Sequence, residues 1–345
     1  MGILSWLLHP DNPADSQNRQ QINDTVERVM QLHPHLRLAR HYQTRLAPAV
    51  ATSHKYLGTL VESLPAPREA TAAAWASDPY IHAFFAAPDD VARVMSRSED
   101  LRAHFETNGD LPEAHAVLGM EMSERHVLGV GLEGGTLRRD VPQTTVSFSD
   151  HQVRLCGRTD AELRYEIVRR LLDELALEGM ARIAEDTSRR VALGRERALL
   201  KTRRQLLERQ GSGIRAVIGS DAAADAGELA RLATQIVENE QNLKSLGLQE
   251  DALDRALDRV CEVFAEPAQH IYVLHKRLRL DRMNVVREDS STQGGEELVF
   301  DLARIPATPP RMRAFSLVRF ARADMLAAKS MFDEAARLLS SGLLS

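Results

Sequence analysis

An apolar repeat of three and four residues dominates the second half of the chain. Leu193, Leu200 and Leu207 recur every seven residues, with apolar neighbours at 192, 199 and 206, in a proline-free stretch from about 160 to 210. The stretch is dense in Leu, Arg, Glu and Ala, strong helix formers, and it predicts one helix of about 75 Å at roughly 1.5 Å per residue. After the breaking run GSGIRAVIGS at 211–220, Leu229, Leu232, Ile236, Asn239, Leu243 and Leu246 keep the same alternation through a second helix. Gly247 interrupts it, and Leu253, Leu257, Val260 and Phe264 resume the stripe as far as Pro267. Two helices with facing stripes of this period form a coiled-coil hairpin, and the polar Asn239 inside the seam fixes register at a cost in stability.

The pattern before and after this hairpin is different. A helix capped near Asp15 or Ser16 is expected to run to about Leu32. Leu46, Val50, Leu57, Leu60 and Leu64 then lie on one helical stripe that Pro48 should kink. Shorter helices fill 69–106, broken near Asp78-Pro79 and Ala87-Pro88. Runs rich in Val and Leu at 114–119, 126–131, 144–148 and 153–156 read as an antiparallel meander. Ile271 and Val273, Met283 and Val285, and Leu298, Phe300 and Leu302 read as a second small sheet, joined by a strand at 312–320 and closed by a helix over 322–339. The expected fold is α+β and predominantly helical. It has a helical N-terminal unit (1–110), a β meander (111–158), a coiled-coil helical hairpin (159–267, tip near 211–220), and strands plus a C-terminal helix (268–345). The small antiparallel β elements bracket the hairpin and are expected to combine into one head.

Composition narrows the class. With 345 residues and 43% of them hydrophobic the chain buries a sizeable core, and 44 basic against 49 acidic residues mark neither a nucleic-acid binder nor an acidic tail. Cys156 and Cys261 are the only cysteines. They give no disulfide framework and no paired-cysteine metal site, which fits a cytoplasmic protein. The apolar cluster Ile3, Leu4, Trp6, Leu7 and Leu8 lacks a basic flank and ends at His9-Pro10. It is expected to dock on the protein's own core, and neither a signal peptide nor membrane association is expected.

Motifs for chemistry fail on context. Gly129, Gly131 and Gly134 have the spacing of a dinucleotide loop, but strand-like sequence up to Pro142 follows them where a helix N-terminus is needed, so a glycine-rich hairpin turn is expected. No Gly-Lys dipeptide is present for a phosphate loop, and no two histidines stand four apart. His33 and His35 straddle Pro34 in a capping context. The acid pairs Asp173-Glu174 and Glu185-Asp186 are adjacent on a helix and splay apart. No catalytic, cofactor-binding or metal residue is assigned, and no cofactor is expected.

Charge supplies the remaining signal. Residues 187–215 carry nine basic and two acidic side chains, and Arg190, Arg197 and Arg204 repeat every seven residues. The facing segment 221–248 has five acidic and two basic residues, so a positive surplus remains. Phe, Trp and Tyr are missing between Glu166 and Val263, which removes the stacking that single-stranded nucleic acid uses. The expectation is a non-enzymatic interaction or scaffold protein that contacts an acidic protein surface through Arg190, Arg197, Arg204 and Arg215, with Val217 and Ile218 at the tip. Binding of nucleic acid through the same strip, self-association through the seam, and an active site assembled from distant residues are the alternatives. If Val217 and Ile218 dock a partner, changing both to Ser leaves the melting temperature unchanged and abolishes co-purification. A lower melting temperature with the partner retained assigns them to seam capping instead.

Overall fold

The computed structural model describes residues 13–133, 136–211, 222–247, 251–287, 294–306 and 311–327. It mixes helix with an antiparallel sheet and divides into two compact units. One comprises the residues up to His54 together with Asp173–Pro267; the other comprises Lys55–Leu172 together with the residues from Ala268.

The first unit is helical. Helix α1 (Pro13–Leu32) buries Val26, Val29 and Met30, a short 3-10 turn (Pro34–Leu38) buries Leu36, and α2 (Tyr42–Glu62) buries Leu46 and Val50 on one stripe. Pro48 lies inside α2 without dividing it. Both Pro48 and Thr44 are exposed, so water can take the carbonyl that the missing N–H leaves free.

The long helix α7 (Asp160–Gly211) from Asp173 onward, α8 (Ala222–Ser245) and α9 (Ala252–Ala265) complete the unit's helices. Gly247, at φ +78°, ends α8 in the left-handed region that glycine adopts without strain. α7 and α9 cross closely, since a Cβ on Gly179 would stand 3.3 Å from Val260 Cα. Polar ties fix the elements: Arg28 Nε donates to Asp173 at 2.8 Å, Arg45 reaches Asp254 at 2.9 Å and also pairs with Asp258, and Ser53 Oγ donates to the Phe264 carbonyl.

The second unit is built on one six-stranded sheet, where sequence patterning suggested two smaller ones. The short strands expected over 114–156 are two long ones, β2 (Glu113–Glu133) and β3 (Thr136–Gly157), paired along their length. Three register shifts, opposite β2 positions 116/117, 119/121 and 129/131, each leave one extra residue on β3, where Asp140, Asp150 and Leu155 take positive φ, and they absorb turn-like residues that had suggested breaks. Strands β4 (Tyr272–Leu280), β5 (Glu296–Ile305) and β6 (Arg311–Ala321) complete the order β3-β2-β6-β5-β4. The two-residue β1 (Arg68–Glu69) pairs with β6 in parallel. Instead of the expected closing helix, 322–324 form a 3-10 turn; the rest of that span from residue 328 lies outside the described residues.

Alternation along β2 and β6 gives the sheet two apolar faces. Ala114, Ala116 and Met120 lie opposite Phe320, Val318 and Ala314, so small residues face large ones across the ladder. On this face pack four short helices, α3 (Ala72–Ser77), α4 (Pro79–Phe84), α5 (Pro88–Arg97) and α6 (Glu99–Thr107), through Ile81, Phe84, Val91, Met95, Leu101 and Phe105. Leu317 on the other face meets Val61, Leu64, Leu163 and Ile167.

The short helices are cut where the sequence places caps. Asp78 ends α3 and accepts from the Tyr80 amide at 2.8 Å, with Pro79 at the first position of α4. Ser98 accepts from Leu101 and donates to the Val153 carbonyl at 2.9 Å, which pins α6 to β3.

His151 on β3 stacks on Phe85 at 5.0 Å and donates from Nε2 to the Phe84 carbonyl. Burial lowers its pKa below the ordinary 6.5. The unfolded chain therefore takes up a proton first as pH falls, so this contribution is complete above about pH 6.5 and is lost below it. His104 is lowered by burial in the same sense. Urea unfolding of this unit should show less stability at pH 5.5 than at pH 7.5, and His151→Gln should shrink the difference. An unchanged difference in the variant rejects the assignment.

Candidate interaction surface

Hydrogen bonds and ion pairs tie α7 to α8. On α8, Leu232, Ile236 and Asn239 are buried, while no residue of α7 between 181 and 209 is. Its half-buried positions include Ile183, Asp186, Arg190, Leu193, Leu200, Arg204 and Leu207, which share one three-four series. Arginines and leucines that looked like separate seven-residue lines thus interleave on the face turned to α8.

Polar contacts hold the pair in one register. Asn239 Nδ2 donates to Glu196 Oε2 at 2.9 Å, and Lys201 Nζ lies 2.8 Å from Glu240. The hydrogen bond from Lys201 holds the Glu240 carboxyl below its ordinary range. Arg203 pairs with Glu228 near the far end, and Arg259 of α9 reaches Asp186 at 2.8 Å. Asn239 Oδ1 is buried and makes no hydrogen bond among the described residues.

The candidate arginines have distinct positions. Arg190 donates to the carbonyls of Leu246 and Gly247, the latter at 3.0 Å, and so occupies the acceptors left over at the end of α8. Arg204 Nε is 3.3 Å from Glu208 Oε1, within ion-pair range but not aligned for a hydrogen bond. Arg197 is exposed and acts on Glu240 only through its charge. Arg215, Val217 and Ile218 lie outside the described residues.

Away from α8, α7 leaves Val191, Leu199 and Leu206 exposed at 46%, 70% and 52%. Arg189 and Arg195 on the same helix are exposed and make no ion pair among the described residues. The apolar neighbours at 199 and 206 were visible in sequence. Their solvent exposure was not, since it depends on which stripe α8 covers.

A second constellation could not be found in sequence. His275 on β4 lies opposite Asp301 on β5, with Nδ1 2.7 Å from a carboxylate that is only 12% exposed. The pair borders a cavity of about 180 Å³ that Arg68, Tyr80 and Phe315 also line. Strand register brings the two residues together across 26 positions. The thiols offer little nucleophilicity, since burial pushes Cys156 up to about 12 and Cys261 up to about 11. Among the described residues no three His, Cys, Asp or Glu side chains converge as a metal site, and no helix is long and apolar enough to cross a membrane.

No family model, curated protein or solved structure matches this chain. The functional reading therefore rests on the residues themselves.

Asn239→Leu should stabilise the protein, by roughly 1 kcal/mol, because it removes a buried carbonyl with no partner. Glu196, being exposed, can turn to water. Denaturant unfolding checks the sign, and sedimentation checks whether register and oligomeric state loosen. A loss above about 2 kcal/mol would show that the Asn239–Glu196 bond stabilises more than an apolar contact does.

Proposed function

We propose that this protein is a non-enzymatic interaction or scaffold protein whose α7–α8 pair forms a coiled-coil arm presenting a basic surface to an acidic protein partner. The observation that carries this reading is that no α7 side chain from 181 to 209 is buried, although the segment is rich in leucine and arginine. A two-helix arm with one helix so little covered gains little from its own packing, and a partner that covers it supplies the missing burial. Part of the basic strip is used within the arm, through Arg190 at the end of α8 and Arg203 against Glu228. Arg189, Arg195 and Arg197 remain exposed for a partner, and Arg215 belongs to the same proposed surface by its sequence position. Apolar side chains beside these cations, with no aromatic residue in the arm, favour a protein surface over phosphate backbone.

The test compares wild type with the charge-reversed variant Arg189→Glu/Arg197→Glu, purified from its own cells at increasing salt. An acidic protein should accompany the wild type and be lost from the variant, with the melting temperature unchanged. Recovery of nucleic acid alone, released steeply as salt rises, overturns the proposal in favour of phosphate binding.

A further inference from the structure

Val191, Arg195, Leu199, Thr202 and Leu206 follow steps of four, four, three and four residues, so they form one continuous row along α7. The row lies away from the series 190, 193, 200, 204 and 207 that meets α8, and every one of its members is exposed. It spans roughly 22 Å at about 1.5 Å per residue, the length of four helical turns. Ala192 and Ala198 flank it with small side chains that permit close approach of another backbone.

The charge within this row selects the occupant. Arg195 stands between Val191 and Leu199, one turn from each, and has no ion pair among the described residues. A partner that covers the leucines must also cover this guanidinium, and a desolvated cation needs a carboxylate opposite it. A second copy of the chain cannot provide one from the same row, whose only charge is Arg195 itself. Resting on the reading of the arm as a protein-binding element, we infer that the Val191–Leu206 row is the docking face for an amphipathic helix of a partner protein. That helix carries aliphatic residues on one stripe with acidic residues beside them. Leu199 and Leu206 provide the buried anchors, and Arg195 sets the charge preference.

The experiment uses the full chain and a fluorescent designed helix of about three heptads, with leucine on the seam positions and glutamate beside them. A second probe has lysine in place of every glutamate, and binding is followed by anisotropy. The wild type should bind the acidic helix and discriminate against the basic one. Leu199→Ser/Leu206→Ser should weaken binding of the acidic helix by at least about tenfold with helicity and melting temperature unchanged. Arg195→Glu should reverse the charge preference.

Equal binding of both helices by the wild type, or full binding by the leucine variant, overturns the inference. So does a dimer in sedimentation that dissociates in the leucine variant, because the occupant is then a second copy. The two readings fail separately in cells. A partner lost from Arg189→Glu/Arg197→Glu but kept by the leucine variant overturns this face and leaves the basic arm in place, whereas a partner kept by both overturns both.

Discussion

The pairing of β2 with β6 is the constraint on which the sheet-bearing unit depends. Residues 113–120 and 314–321 come from segments about two hundred positions apart, yet they form the middle of the sheet. Everything else attaches to this ladder. β3 adds outside β2, β5 and β4 add outside β6, and both apolar faces exist only because the shared register puts Ala114, Ala116 and Met120 level with Phe320, Val318 and Ala314. A shift of one residue would exchange the two faces and place Phe320 among the groups that now surround Leu317. Arg322 closes one end of this ladder, donating to the Leu111, Phe105 and Asn108 carbonyls with its guanidinium over the Phe105 ring.

Local signals were legible where local energetics decide. The break at Asp78-Pro79, the end of α8 at Gly247 and the strand over 311–321 follow from caps, positive φ or period-two alternation. The meander was misread because its turn-like residues are bulges within continuous strands. Pro142 is tolerated in β3 because β3 is an edge strand, where no further neighbour needs the N–H at that position. Asp140 and Asp150 take positive φ without ending the strand. No local window can distinguish a bulge from a turn when the deciding factor is a partner strand far away in sequence.

The long helices show the same limit at the level of function. Seven-residue repeats of leucine and of arginine are visible separately, but placing both on one stripe requires adding the offset of three between 190 and 193. Which arginines stay exposed depends on contacts with α8, as Arg190 at its terminal carbonyls illustrates. The His275–Asp301 pair depends wholly on strand register. Charge density was readable from composition, whereas charge availability was a property of packing.

The order of synthesis gives the β2–β6 ladder a further consequence. When β2 and β3 have been made, roughly 165 residues must still be added before β6 is complete, on the order of ten to thirty seconds at the usual rates of translation. Throughout that interval the inner edge of β2 has unpaired backbone groups, and its row of Ala114, Ala116, Leu118 and Met120 lacks its final cover. The intervening helices α7, α8 and α9 emerge first and fold from local contacts. A nascent chain of this kind carries an open strand edge for about half of its synthesis, and its sheet closes only after the helices between the two strands have been made.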